Sequence, residues 1–282
     1  MLSCYTTNLI GHLRRDTPGI DDEFAQAINL SVRTDLEDGA LAFTQHRRVG
    51  PLLGYSTSDT WETARKGLLE EFERNNDVVV VASTRNLPWS PTYGVEDVPH
   101  WIRLSERRGN QWRVIDEFSA VLPQGEQHPY DGWVNDEELA KMLTPLPQLT
   151  RELRNRDVHA FGDTSNAPAP DCYHWLARGV DDRADHGGHW VEGVAALRYL
   201  AERFAQDPDL LRRHAQDLWA ASRHYQYRFA EDPSVSAAWG ELPRTLSFAL
   251  QSADRGRPRP ALITHVFEHI VSSTLTKEGA SQ

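Results

Sequence analysis

The period of apolar positions along this chain is helical, then alternating, then helical again. In CYTTNLIGHLRR, Leu9, Ile10 and Leu13 fall on one helical face with polar residues opposite. Ser3 or Thr6 stands where an N-cap is needed, and DTPG (Asp16 to Gly19) stops the helix. DDEFAQAINLS, residues 21–31, predicts a second short helix, and ALAFTQ (Ala40 to Gln45) a strand. TSDTWETARKGLLEEFERNND predicts a strong helix, with Trp61, Ala64, Leu68 and Phe72 in phase and Ser58 or Asp59 as its cap. At Asp77 the texture changes. DVVVVAS is the β-branched run of a buried strand, and TRNLPWSPTYGVEDVP is a loop stiffened by prolines. HWIRLSER and QWRVIDEF then alternate and are joined by RGN, which is hairpin chemistry.

Helices followed by a group of strands is the order of an α+β domain. EELAKMLTPLPQLTRELRNR leads to a loop at FGDTSNAPAPDC, and a boundary is expected near residue 150, dividing the chain into 1–150 and 151–282. Beyond it the pattern predicts helices throughout: DCYHWLARGV, HWVEGVAALRYLAERFAQ, PDLLRRHAQDLWAASRHYQYRFAED and PALITHVFEHIVSSTL. The expected architecture is an α+β domain followed by an all-helical one.

Composition narrows the function classes. A length of 282 residues with 39% hydrophobic and 25% charged content fits an ordinary globular protein. The net charge of −11 argues against nucleic acid or an anionic membrane as main partner and leaves room for an amine-bearing substrate. There is no apolar run of about 18 residues and no signal-peptide pattern. Two cysteines make no disulfide framework, so the expected setting is cytoplasmic with reduced thiols. P-loop, GxGxxG and GxSxG motifs are missing, which removes support for nucleotide-dependent ligation and serine hydrolysis.

The chemistry-bearing candidates begin with Cys4. A helix N-terminus favours a thiolate, and its unpaired N–H groups suit the oxyanion of a tetrahedral intermediate. The alternative for Cys4 is a small buried hydrophobe. His100 opens a strand after the proline-rich loop, and Asp116 ends the next strand, so the hairpin brings both ends close together. Taken singly, His100 reads more readily as a surface strand residue and Asp116 as a turn former. Taken jointly, a helix-start Cys, a strand-start His and a next-strand Asp follow the logic of a papain-type site.

The stretch from DVVVVAS through LPWSPTYG to HWIRLSERRGNQWRVIDEF resembles the butirosin-biosynthesis acyltransferase (BtrH N-terminal-like) family of papain-like proteins. The matching features fall on Cys4, on Leu87, Pro88, Trp89 and Tyr93, on His100, and on Val114 to Asp116. WVNDEELAKML and the C-terminal helices resemble segments that follow in the same family. The resemblance implies a papain-like fold and an acyl-enzyme route. Cys4 takes an acyl group from a thioester on the phosphopantetheine arm of an acyl or peptidyl carrier protein, and a small amine acceptor then forms an amide. Water as acceptor would make the protein a thioesterase or a peptidase-like amidase, and a third reading is a non-catalytic binding protein on the same fold. His100 would accept the thiol proton and Asp116 hold the imidazole tautomer. Trp89 and Tyr93 would contact substrate. No cofactor of the protein's own is implied. The family's Gln ahead of the Cys has no counterpart among Met1, Leu2 and Ser3, so the oxyanion would rest on the Cys4 N–H with Asn8 or Thr6 as second donor. IDEF lacks the D-P dipeptide frequent after the family's aspartate.

Asp181, Asp182, Asp185, His186 and His189 have spacing compatible with a metal, but a solvated approach to a helix is favoured. Cys172 is expected to be structural. His265 and His269 in HVFEH form an i, i+4 pair without the zincin Glu, and a polar helix face is favoured. Trp219, Tyr225, Tyr227 and Phe229 are expected in a core, with an acyl pocket as the lesser reading. Arg223 and Tyr227 share a helix face and are candidates to touch the acceptor. Arg14, Arg15, Arg47, Arg48, Arg107 and Arg108 are candidates for a basic patch that would dock an acidic carrier.

Overall fold

The computed structural model describes residues 2–280 apart from 38, 123, 148, 163–165, 167–168 and 182–186, with side chains as far as 275. It is α+β: a mixed N-terminal region with antiparallel sheets, then C-terminal helices packed together. Contacts divide the chain into two compact units that interleave in sequence. One, the sheet unit, comprises Leu2–Glu23 and Arg48–Asp185; the other, the helical unit, comprises Phe24–Arg47 and His186–Gln282.

The sheet unit opens with α1 (Cys4–Leu13), and α2 (Ile20–Ala27) follows across the division. A capping box starts α1: the Ser3 hydroxyl accepts from Thr6 N–H and the Thr6 hydroxyl accepts from Ser3 N–H. Later come β3 (Leu53–Ser58), α3 (Trp61–Asn75), β4 (Val78–Ser83), a short 3-10 turn (Thr84–Asn86), β5 (Pro99–Arg108), β6 (Gln111–Asp116), β7 (Ala120–Leu122), β8 (Gly125–Gln127), β9 (Tyr130–Asn135), α4 (Asp136–Met142), α5 (Arg151–Val158) and β10 (Tyr173–Arg178). Thr60 caps α3, and Asn76 ends it in the left-handed region at φ 54°. Six strands form one antiparallel sheet in the order β3-β10-β4-β5-β6-β9, and β7-β8 is a separate ribbon. All six residues of β4 are buried, as its unbroken β-branched run requires. Val78, Val80, Ile102, Leu104, Trp112 and Val114 meet Ala64 and Leu68 of α3 and Leu139 of α4 in the main core.

The helical unit contains β1 (Ile28–Arg33), β2 (Ala42–His46) and β11 (Trp190–Glu192), paired in the order β11-β1-β2. Its helices are α6 (Gly193–Gln206), α7 (Pro208–Arg228), α8 (Pro233–Asp254) and α9 (Pro260–Ala280). Asp207 and Asp232 cap α7 and α8, each followed by a proline in the first turn. Tyr225 stacks on Trp239 at 4.0 Å and its hydroxyl accepts from Leu30 N–H, which ties α7 to β1.

Three expectations change. DCYHWLARGV is not a helix: Tyr173–Arg178 is a strand lying between β3 and β4, paired along its length with β3. Its short mixed run cannot be told from a helix by periodicity, and only the waiting sheet decides. The second helix ends at Ala27, and residues 28–33 form β1. A single cut near 150 also differs from the observed division, because β10 completes the first sheet while β1 and β2 join the helical unit. Strands β3 and β7–β9 add to the expected elements.

Candidate active site

The sheet unit brings Cys4, His100 and Asp116 together. Cys4 is the first residue of α1, where helix geometry leaves its N–H without an intrahelical acceptor. His100 is the second residue of β5 and Asp116 the last of β6. An irregularity at Ser105, between the pairs Glu106↔Arg113 and Leu104↔Val114, sets the register of the two strands. Continuing that register places Asp116 across from Ile102 and on the same face as His100.

His100 Nε2 lies 2.7 Å from Asp116 Oδ2, and both residues are buried. The Cys4 thiol is a further side-chain partner of the imidazole. Burial opposes protonation of His100, but the Asp116 carboxylate and negative charge on Cys4 outweigh it and raise the group to about 10. Burial likewise opposes ionisation of Asp116, while His100, Trp89 and Asn8 hold its carboxyl below the ordinary carboxylate value. The Phe118 ring meets the imidazole edge-on at 5.7 Å.

Asp116 is saturated. Its Oδ1 accepts from Asn8 Nδ2 at 3.1 Å and Phe118 N–H at 3.0 Å; its Oδ2 accepts from Trp89 Nε1 at 2.8 Å as well as His100. Asn8, expected at the oxyanion, and Trp89, expected against substrate, both have partners within the chain. Asn8 Nδ2 also donates to the carbonyls of Cys4 (3.0 Å) and Trp101 (2.8 Å), so its amide protons are committed and leave none for an oxyanion. The Thr6 hydroxyl is likewise engaged, in the capping box. Trp89, expected against substrate, has its indole N–H on Asp116 and its ring stacked at 3.8 Å on Tyr130. The loop carrying it is fixed from within: Ser83 Oγ donates to Asp97, Thr84 Oγ1 to the Glu96 carbonyl, and Arg85 pairs with Asp97. Tyr93 stands on this loop and is half exposed.

Arg223 and Tyr227 belong to α7 of the helical unit. Arg223 is buried with its guanidinium 4.8 Å from the Trp219 ring, and the Tyr227 ring lies 6.0 Å from Phe24. Cys172 is buried, donates to the Ala169 carbonyl, and burial raises its thiol above the ordinary value. Asp182, Asp185 and His186 lie outside the described residues; His189 meets the Thr34 hydroxyl at 2.9 Å. Among the described residues no group of three or more His, Cys, Asp or Glu side chains gathers as for a metal ion, and His265 and His269 are both exposed. Several arginines of the expected patch have partners within the chain: Arg14 pairs with Asp21, Arg15 with Asp77, Arg108 with Glu106, and Arg107 lies over Trp112. Among the described residues, no helix is long and apolar enough to cross a membrane. No protein-family model matches the chain, and no curated protein matches it.

Proposed function

We propose that this protein is a papain-like cysteine acyltransferase that moves an acyl group from a carrier-protein thioester to an amine. The observation that carries the reading is the chain Cys4–His100–Asp116, with Nε2 of the imidazole on the carboxylate and the Cys4 thiol as a further partner of the ring. The similarity of residues 77–116 to the butirosin-type acyltransferases supports the choice of acyl donor. The setting is a cytoplasmic pathway of specialised-metabolite biosynthesis.

The Cys4 thiolate attacks the thioester carbonyl, forming a new C–S bond and a tetrahedral oxyanion. The N–H of Cys4 supplies one oxyanion donor. Collapse breaks the donor's C–S bond, and His100 imidazolium gives its proton to the departing thiolate. An amine then attacks acyl-Cys4, His100 takes the amine's proton, and collapse releases the amide and regenerates the Cys4 thiolate beside the imidazolium. Asp116 keeps the proton on Nε2 and stabilises the charged ring throughout.

The test is intact-mass spectrometry after incubation with acyl thioesters of pantetheine. A single acyl adduct is expected, lost in Cys4→Ala and kept in Cys172→Ser. Adding primary amines is expected to discharge the adduct into amide faster than buffer alone. Discharge by water at the same rate would make the protein a hydrolase. An adduct that survives Cys4→Ala, or none with any thioester, sinks the assignment.

A further inference from the structure

The polar face of α1 is buried. Cys4, Asn8 and His12 recur at i, i+4 and i+8, so they stand one above another on one side of the helix. Each meets a partner from the sheet: His100, Asp116 and Asp77. The proposed acyl transfer uses only the first two levels. The third is a pair buried almost completely, with Asp77 0% and His12 2% exposed.

His12 Nδ1 lies 2.7 Å from Asp77 Oδ1, and Arg178 approaches His12 Nε2 from Nη2 at 3.3 Å and from Nε at 3.4 Å. A guanidinium has only donors, so Nε2 accepts and Nδ1 donates to Asp77. The other Asp77 oxygen takes Arg103 Nη1 at 3.1 Å, with Arg15 Nη1 at 3.6 Å. Arg103 continues to Glu117 Oε1 at 3.2 Å, and the Glu117 N–H donates to Asn8 Oδ1 at 3.4 Å. The path therefore leaves α1 at His12, crosses to Asp77, Arg103 and Glu117, and returns to α1 at Asn8. Gly11 makes the close approach possible: a Cβ there would lie 2.5 Å from Glu117 Oε2 and 3.0 Å from Arg103 Cζ. Buried ion networks of this kind add little stability over apolar packing, whereas they fix geometry where partners are unique.

We propose that His12, held between Asp77 and Arg178, is a positioning residue that sets the rotation and height of α1 so that the Cys4 thiol meets His100. The proposal rests on the reading of Cys4 as nucleophile. Removing the His12 hold leaves Asn8 as the one side-chain pin between α1 and the ends of β5 and β6 within this path. A displacement of about 1 Å at the thiol is enough to lower reactivity by about 100-fold.

The experiment needs no substrate. The rate of Cys4 alkylation by iodoacetamide is followed by peptide mass spectrometry across pH in a Cys172→Ser background. Cys4 alkylation is expected to depend on His100, so that His100→Ala slows it across the profile. His12→Asn keeps an N–H for Asp77 and is expected to stay within about threefold of the parent, whereas His12→Leu loses about tenfold or more at about pH 6. Should His12→Leu fail to fold by circular dichroism, Arg178→Gln, which removes the donor on Nε2, is expected to lose about threefold. A folded His12→Leu with the parent's profile overturns the proposal, as does His12→Asn falling as far as His12→Leu. If His12→Leu does not fold, Arg178→Gln at the parent's rate overturns it. A profile untouched by His100→Ala instead overturns the reading of Cys4, whatever His12 does.

Discussion

Asp116→Asn changes almost no volume yet removes the group on which the site converges. The carboxylate accepts from four donors: Asn8 Nδ2, Phe118 N–H, Trp89 Nε1 and His100 Nε2. An asparagine keeps one oxygen, which serves the pair on one side, and turns an NH2 toward the pair on the other. Two buried donors then face a donor, at about 1–3 kcal/mol each, so the variant is expected to lose about 2–6 kcal/mol. The loss depends on pH. His100 is raised to about 10 in the folded protein, burial opposing and the Asp116 and Cys4 charges prevailing. A raised histidine contributes stability that is complete below its unfolded value of about 6.5 and fades as pH climbs toward 10. Asp116 itself is lowered, despite burial, by His100, Trp89 and Asn8, so its contribution fades as pH falls below the ordinary carboxylate range. The penalty should therefore be largest between about pH 4 and 6.5 and shrink on both sides. Urea unfolding followed by circular dichroism at a series of pH values measures it, and NMR of the imidazole follows His100 directly. Without the carboxylate, burial pushes His100 down, and its midpoint should drop from about 10. A variant within about 0.5 kcal/mol of the parent at pH 6, with the His100 midpoint unmoved, would refute the reasoning.

Two further expectations test the packing of each unit by itself. Gly67 of α3 packs against Trp175 of β10 so tightly that a Cβ would lie 2.4 Å from the indole Cζ2; Gly67→Ala is expected to destabilise by about 1–3 kcal/mol in urea despite the better helix former, and a stabilised variant would contradict that packing. In the helical unit, burial and then the nearby His46 push His224 down to about 3, with Nδ1 donating to the Ala220 carbonyl. The unfolded chain takes up that proton first, so stability is complete above about pH 6.5 and is lost as pH falls toward 3. His224→Gln should reduce the difference in unfolding free energy between about pH 7 and pH 4 by about 1–2 kcal/mol, and an unchanged difference would count against it.

What could be read from the chain follows the strength of its local signals. The first helix with its Ser3 cap, the buried run at Val78–Val81 and the hairpin across Gly109 each carry a complete local signature, and each forms as expected. Cys4 stands at a helix start, and His100 and Asp116 near two strand ends, positions that can be located without knowing the tertiary fold. Tyr173–Arg178 failed for the opposite reason: six mixed residues next to a proline-rich loop carry no decisive period, and pairing with β3 supplies the backbone bonds that choose a strand. The roles of Asn8, His12 and Trp89 were hidden for another reason. Polar residues opposite an apolar helix face read as solvated, and only the sheet's buried carboxylates at 77 and 116 reveal that this face is also inside. The spacing of Cys4, Asn8 and His12 was the available signal.

The relation of His100 to Asp116 depends on one further residue that alternation alone conceals. Gly109 and Asn110 make the turn, and Arg108 pairs with Gln111 and Arg107 with Trp112. In an unbroken ladder counted from that turn, even-numbered residues of β5 share a face with odd-numbered residues of β6. His100 and Asp116 are both even, so they would point to opposite sides of the sheet. The extra residue at Ser105 reverses this parity, since beyond it Leu104 pairs with Val114 and Arg103 with Ile115. Trp112, Val114 and Asp116 then line up with Leu104, Ile102 and His100 on one buried face. Proximity of the strand ends was thus a sound inference from the hairpin, but it was not sufficient. The bulge turns two neighbouring strand ends into a carboxylate and an imidazole that can touch, and the Cys4 thiol at the start of α1 is a further partner of the ring.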